Sequence, residues 1–315
     1  MKYIIGVDLG GTYIKAGSVS KDGELVKQTS LPSNGESGPQ AVVSQIAKAV
    51  ENLRNEHAGD ELLGVGIGSP GMVDLDGGTV KYPPNLANWK VFRLGEEVSK
   101  KIGARAEVEN DANAAAVGEM KFGAGQGMKN FIMMTLGTGV GGGLVVDGKV
   151  FRGESGGAGE IGHTTVNMNG PLCGCGNHGC VEAYVGQRYL SRRVAAQLKD
   201  HPDSLINKLI GGDPEKLEPK IIGDAASKGD EFALQVWKET GQYIGTAVAS
   251  TFNLFDMTTL IIGGGVAEAG KPLFDSIEAT IRDRVLSPLK PRVKVMKAKL
   301  ENSAGILGAA ALIAE

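Results

Sequence analysis

The chain is poor in cysteine, with three in 315 residues. The number is odd, and Cys173, Cys175 and Cys180 share one short stretch, which excludes a disulfide-stapled scaffold. Such usage points to a reducing compartment where thiols serve a metal or a reaction. Long apolar runs are missing too. The opening Tyr3-Ile4-Ile5-Gly6-Val7 is too short for a signal-peptide core, and no later stretch approaches the roughly 20 apolar residues of a membrane span. A cytoplasmic protein with no membrane partner is expected. The net charge is only −3, so nothing electrostatic points to nucleic acid or anionic lipid. Low-complexity tracts are absent. No helix-turn-helix module is expected ahead of the first core strand, which starts at residue 3.

Glycine is abundant, 48 residues, without a strict period. It gathers in short runs where the backbone needs unusual dihedrals or a close approach. Hydrophobic residues at 42% and charged residues at 22% describe a globular chain, and the length favours two lobes. Strands are predicted at 3–7, 14–19 and 24–29, with a turn at Asp22-Gly23. The spacing of Ala41, Val42, Ile46, Ala49, Val50 and Leu53 predicts a helix over 40–53. Strands at 63–68 and 106–109 lead into Ser69-Pro70-Gly71 and Asn110-Asp111. At 131–136 an apolar strand enters Gly137-Thr138-Gly139, followed by a strand through Val146 and a turn at Asp147-Gly148. This repeats the start of the chain, so two related halves are expected, each opening with an antiparallel meander whose first turn is glycine-rich. Residues 185–229 read as mostly helical with a break near 201–220. A long helix at 232–252, a strand at 258–262 and a final helix at 304–313 complete the pattern.

Two loops have the composition of phosphate sites. Asp8-Leu9-Gly10-Gly11-Thr12 and residues 136–143 each join two strands, and glycine lets backbone N–H groups close on an anion. The hydroxyls of Thr12 and Thr138 can donate to phosphate oxygens, Lys15 adds positive charge, and Asp8 can hold Mg²⁺. Neither loop has the spacing of a P-loop or a dinucleotide fingerprint; taken singly each would be a tight hairpin turn. A third run, Gly263-Gly264-Gly265, strengthens the nucleotide reading. Asn110-Asp111 precedes an alanine-rich helix, so one of the pair is an N-cap, and Asp111 has the chemistry of a general base toward a hydroxyl. The sharpest local signal is Glu160-Ile161-Gly162-His163 followed by the Cys173 to Cys180 knuckle. One imidazole with three thiolates makes a four-coordinate structural zinc site, with His178 competing with His163 as the nitrogen ligand. His57 and His201 lie in polar stretches and read as surface residues.

On these motifs, together with Pro70-Gly71, Asn85-Leu86, residues 109–113 and Glu182, the chain resembles the ROK family of sugar kinases over essentially its whole length. It is most similar to the family's bacterial ATP-dependent glucokinase branch. The resemblance implies an α/β, two-lobed actin-like ATPase (ribonuclease H-like) fold, each lobe a mixed five-stranded sheet with helices. The small lobe would be 1–112, rejoined by the C-terminal helix 302–315, and the large lobe 113–301 would contain the zinc knuckle 163–180. It implies ATP-dependent phosphorylation of a hexose, glucose first, with Asp111 as catalytic base. Sugar would be held by Gly71, Asn85, Asn110, Asp111, Glu160, His163 and Glu182. Nucleotide would be held by Asp8, Gly10, Gly11, Thr12, Lys15, Gly137, Thr138, Gly139, Gly264 and Gly265. Zinc on His163, Cys173, Cys175 and Cys180 would fix the imidazole that faces the sugar, Mg²⁺ would accompany ATP, and the assembly would be a homodimer or dimer of dimers. Other ROK kinases, acting on N-acetylmannosamine, N-acetylglucosamine, fructose or allose, share much of this pattern. Sugar-responsive ROK regulators share less.

Overall fold

The computed structural model describes the chain except Asn85, Ala87, Asn88 and Glu315 and the side chain of Asn302. In chain order come β1 (Lys2–Leu9), β2 (Tyr13–Ser20), β3 (Leu25–Pro32), α1 (Pro39–Asn55), β4 (Glu61–Ser69), β5 (Met72–Asp74), β6 (Thr79–Lys81), β7 (Val91–Arg93), α2 (Leu94–Ile102), β8 (Ala106–Asn110) and α3 (Asp111–Phe122). Then follow β9 (Phe131–Leu136), β10 (Val140–Val146), β11 (Lys149–Val150), α4 (Glu182–Val185), α5 (Gln187–Gln197), α6 (Leu205–Leu209), α7 (Pro219–Ser227) and α8 (Glu231–Phe255). The chain ends with β12 (Thr259–Gly263), α9 (Lys271–Arg284), β13 (Lys294–Lys297) and α10 (Ala304–Ala311).

The first five-stranded sheet runs β3-β2-β1-β4-β8 and the second β11-β10-β9-β12-β13. In the first, β1 to β3 form an antiparallel meander, and β4 and β8 extend it in parallel. In the second, β10 and β11 form the hairpin, and β9, β12 and β13 run parallel. The repeated layout expected from the sequence is therefore present in the strand order. The Asp147-Gly148 hairpin has both residues at positive φ, 50° and 74°, as a two-residue turn that matches strand twist requires. A further small antiparallel sheet, β5-β6-β7, was not anticipated.

By packing, the chain resolves into two units. The first is Met1–Lys129, Gly143–Gly159 and Lys299–Glu315; the second is Asn130–Gly142 and Glu160–Ala298. A division after residue 112 would cut α3 after its second residue, whereas the first unit holds that helix whole. In this unit α1 starts on a proline at its first position, where the missing N–H is no loss, and turns Val42, Val43, Ile46, Val50 and Leu53 onto the sheet. On the opposite face α10 crosses β1 and β4 at backbone distance. A Cβ at Gly6 would stand 1.9 Å from Ile306 O, and one at Gly66 would stand 1.8 Å from Ala309 O. Only glycines there let the alanine-rich helix seat. In the second unit α8 buries Trp237, Ile244, Val248 and Phe252.

His57 corrects the surface reading. It is 8% exposed, stacks on Tyr3 at 4.2 Å, and its Nε2 lies 2.9 Å from Ser18 Oγ with Nδ1 3.2 Å from Asp60. Placed just after α1, the chain turns back over the sheet edge and carries the ring inward. His201 is half-buried and stacks on Phe232 at 3.9 Å. Among the described residues no helix is long and apolar enough to cross a membrane.

Candidate active site and metal cluster

In the first unit the parallel strands β1, β4 and β8 end together. Asp8 pairs in register with Gly68, and Ser69 with Asn110, so Asp8 and Asn110-Asp111 share the carboxyl edge of the sheet. They are two strand spacings apart, about 10 Å, at the edge where open α/β sheets take their ligands. Strand β8 passes into α3 without a loop. Asn110 is the N-cap: its Oδ1 accepts from the N–H groups of Ala112 (3.0 Å) and Asn113 (3.1 Å), while its Nδ2 donates to Gly71 O at 3.0 Å. Gly71, at φ 90°, is thus tied to the start of α3. Asp111 is the first helical residue and is exposed, where the aligned peptide dipoles favour an ionised carboxylate.

Asp8 stands across β2 from Lys15 in the antiparallel register. Burial pushes its carboxyl above the ordinary aspartate value, and the nearby Lys15 ammonium pulls it back in part. The turn between β1 and β2 closes on a bond from Gly10 N–H to Tyr13 O at 2.9 Å. Ser33 Oγ donates to Gly11 O at 2.6 Å, which anchors this turn to the chain after β3, and Thr12 is exposed beside it. The loop is a hairpin turn, and one whose hydroxyl faces outward.

In the second unit Gly137 N–H donates to Gly139 O at 2.9 Å, and Gln187 N–H donates to Gly137 O at 2.9 Å, with Thr138 exposed. Gly264, at φ 90°, presses against Leu136; a Cβ there would stand 2.4 Å from its carbonyl oxygen. Glu182 ties this loop to the cysteines. Its Oε2 accepts from Val140 N–H at 2.9 Å, and its Oε1 accepts from Cys173 Sγ at 3.7 Å.

The ligand atoms of His163, Cys173, Cys175 and Cys180 lie within 4.8 Å of one another. Cys173 Sγ is 3.7 Å from His163 Nδ1, and Cys175 Sγ is 3.7 Å from Cys180 Sγ. A tetrahedral zinc, with thiolates at about 2.3 Å and imidazole at about 2.0 Å, sets ligand-to-ligand edges of about 3.5–3.8 Å. The donor set and its spacing therefore fit zinc. His163 offers Nδ1 to the cluster, and its Nε2 points toward Glu160, 3.9 Å from Oε2. His178 is outside the cluster, its Nδ1 against Gly170 O at 3.1 Å. Burial pushes the Cys173 thiol up to about 12 and raises Cys180, while the bond from Asn177 N–H lowers Cys175.

The ROK family model matches residues 4–315. The chain belongs to the ROK family. With membership comes the actin-like fold class, whose meander-plus-parallel sheet the strand order repeats twice. Among ROK relatives, the Thermotoga maritima glucokinase is 39% identical over 312 residues, spanning 99% of this chain and 97% of that protein. A ROK family glucokinase from Streptomyces griseus, solved with glucose and AMPPNP, superposes with a TM-score of 0.84 at 37% identity over 98% of each chain. The xylose repressor of Caldicellulosiruptor bescii is 30% identical over 98% of this chain but 77% of its own.

Within the first unit the fold gathers Asp8, Gly10, Gly11, Thr12, Lys15, Gly71, Asn110 and Asp111 along one sheet edge. Within the second it gathers Gly137, Thr138, Gly139, Glu182, Gly264 and Gly265 around one loop, with Glu160 and His163 beside the metal cluster. Asn85 lies outside the described residues. The sequence reading gave no role to Arg152, whose Nε donates to buried Glu109 Oε2 at 2.6 Å. A lone arginine after a hairpin carries no signal of a partner 43 residues earlier.

Proposed function

We propose that this ROK protein transfers the γ-phosphoryl of ATP to the 6-hydroxyl of glucose. The observation that carries the reading is likeness to glucokinases across the whole chain, joined to Asp111 at the exposed start of α3 on the ligand edge of its sheet. Asp111 orients the hydroxyl and accepts its proton as the oxygen bonds to phosphorus and the β,γ phosphate bond breaks, giving glucose 6-phosphate and ADP. Gly71, Asn85, Asn110, Glu160, His163 and Glu182 hydrogen-bond the sugar. The Thr12 and Thr138 loops hold phosphates through backbone N–H groups and hydroxyls, and Gly264 and Gly265 take the adenosine.

Asp8 would hold the Mg²⁺ that arrives with ATP, and a buried carboxyl held above its ordinary value is one that a cation stabilises. Zinc on His163, Cys173, Cys175 and Cys180 would fix the knuckle and the tautomer of His163, leaving Nε2 for substrate. The scarce, clustered cysteines support a reducing cytoplasmic setting, and a symmetric homodimer is the expected assembly.

A coupled assay with ATP and Mg²⁺ across glucose, mannose, fructose, allose, N-acetylglucosamine and N-acetylmannosamine tests the reading. Glucose should lead in kcat/KM. Asp111→Asn should abolish turnover while glucose binding, followed by calorimetry, persists. A winning acetamido sugar would refute the substrate, and near-normal kcat in Asp111→Asn would refute the base.

A further inference from the structure

Glu109 is the penultimate residue of β8, and its side chain is 2% exposed. A carboxylate taken from water needs a counter-charge and filled lone pairs, and both of its oxygens are occupied. Oε1 accepts from the backbone N–H of Asn110 at 3.0 Å and from Asn113 Nδ2 at 3.2 Å, while Oε2 accepts from Arg152 Nε. Glu109 therefore grips the residues before and after Asp111 in the chain, and Arg152 holds Glu109.

Arg152 also begins the stretch that leads to Glu160. Its carbonyl accepts from Ala158 N–H at 3.1 Å. Gly156, at φ 84°, lies against β5, where a Cβ would stand 2.2 Å from Val73 O. The arginine is one-third exposed, at 32%, and with Glu109 it lines a cavity of about 600 Å³ together with Ser99 and Lys100. The guanidinium is therefore within reach of solvent while its partner is not.

We propose that Arg152 is a positioning residue for phosphoryl transfer, acting through Glu109 to set the register of Asn110 and Asp111. The inference rests on the kinase reading above, and it assigns Arg152 no contact with substrate. A purely structural ion pair would lower stability and scale activity with the folded fraction. A positioning pair changes turnover per folded molecule, because the base is displaced while the glycine loops assigned to the phosphates are not.

The test is steady-state kinetics on Arg152→Met, Arg152→Lys and the double variant Glu109→Gln with Arg152→Met, each well below its melting temperature. Arg152→Met should lose about 10- to 100-fold in kcat, the scale on which a displaced catalytic group is felt, with KM for ATP within about three-fold of the unaltered protein and any rise in KM confined to glucose. Arg152→Lys should fall between the two, since it keeps charge without the planar fork. The double variant should recover part of the loss, because the amide keeps an acceptor for Asn110 and Asn113 and carries no orphaned charge. Guanidinium at sub-denaturing concentration should likewise raise kcat of Arg152→Ala through the cavity. Unchanged kcat in Arg152→Met, with active unaltered protein, would overturn this inference alone. An unaltered protein inactive on every hexose with ATP would overturn it together with the kinase reading.

Discussion

Asn110 does two mechanical jobs, and substitution can separate them. Replacing it with alanine removes the cap on α3 and the tie to Gly71. Ala112 N–H keeps a partner, since Asp111 Oδ1 accepts from it at 2.8 Å, so the donor orphaned is that of Asn113, whose residue is 1% exposed. Loss of an N-cap costs about 1 kcal/mol, and loss of the bond to the Gly71 carbonyl about 1 kcal/mol more. The sum of about 2 kcal/mol lowers the melting temperature by about 3 °C for a protein of this size.

Asn110→Asp keeps the acceptor and gains from the helix dipole by about 0.3–1 kcal/mol. It loses only the donor and sets a carboxylate against the Gly71 oxygen. It should melt within about 1 °C of the unaltered protein. Thermal melts by circular dichroism read both variants, and initial rates with saturating ATP read activity. Both should lose most kinase activity under the proposed role of Asn110 as a sugar ligand. An aspartate variant that melts as low as the alanine variant would refute the capping account of how α3 begins.

Asp8→Asn is expected to raise stability at neutral pH while depressing activity. The folded-state value of Asp8 is raised by burial, so its ionisation opposes folding. Its stabilising protonated form is fully present below the unfolded value of about 3.8 and is lost as pH rises through the folded value. The advantage of the asparagine variant in melting temperature should therefore be larger at pH 7 than at pH 4 and shrink as pH falls; no change with pH would count against a buried, costly carboxylate. The cysteine cluster should carry one zinc per chain by elemental analysis, absent from Cys175→Ser. Since two of its thiols are raised, zinc must displace their protons, and zinc release followed with a chromogenic chelator should steepen as pH drops below neutral. A chain that is metal-free as purified and unchanged in melting temperature on adding zinc would refute the site.

What could be read from the sequence was what short-range chemistry dictates. The apolar run at 131–136 returns as Phe131–Leu136, bounded by turn residues on both sides. The repeat of strand, glycine loop, strand and Asp-Gly turn foretold the hairpins that open both halves, while the parallel strands beyond them came only with the family resemblance. Helix α9 was missed: it buries only Leu273, Ile277 and Ile281, a thin stripe in a polar segment. Strands β5 to β7 are three residues each, too short to show a period of two. In the site, residue types were legible and partnerships were not. Nothing in Glu182 announces that one oxygen takes a loop N–H and the other a thiol, and nothing in His163 says that Nδ1 faces the cysteines. Those are tertiary facts, as is the burial of Glu109 beside Arg152.

Family membership alone does not separate a kinase from a sugar sensor, because sugar-binding residues and a zinc-fixed histidine serve either one. The separation would come from groups that, in their proposed roles, only phosphoryl transfer needs. Burial raises the Asp8 carboxyl and so sets its ionisation against folding; a sensor gains nothing from that cost, whereas the proposed role in holding Mg²⁺ would use the negative charge. Under the proposed role Asp111 tells the same way, exposed at the first position of α3 with Oδ1 accepting from Ala112 N–H at 2.8 Å. Glu182 joins the two proposed sites of the second unit, since one carboxylate takes Val140 N–H in the glycine loop and the Cys173 thiol in the knuckle. With the proposed roles, a costly carboxylate kept at Asp8 and an acid at the start of α3 suit phosphoryl transfer and would be superfluous to sensing alone.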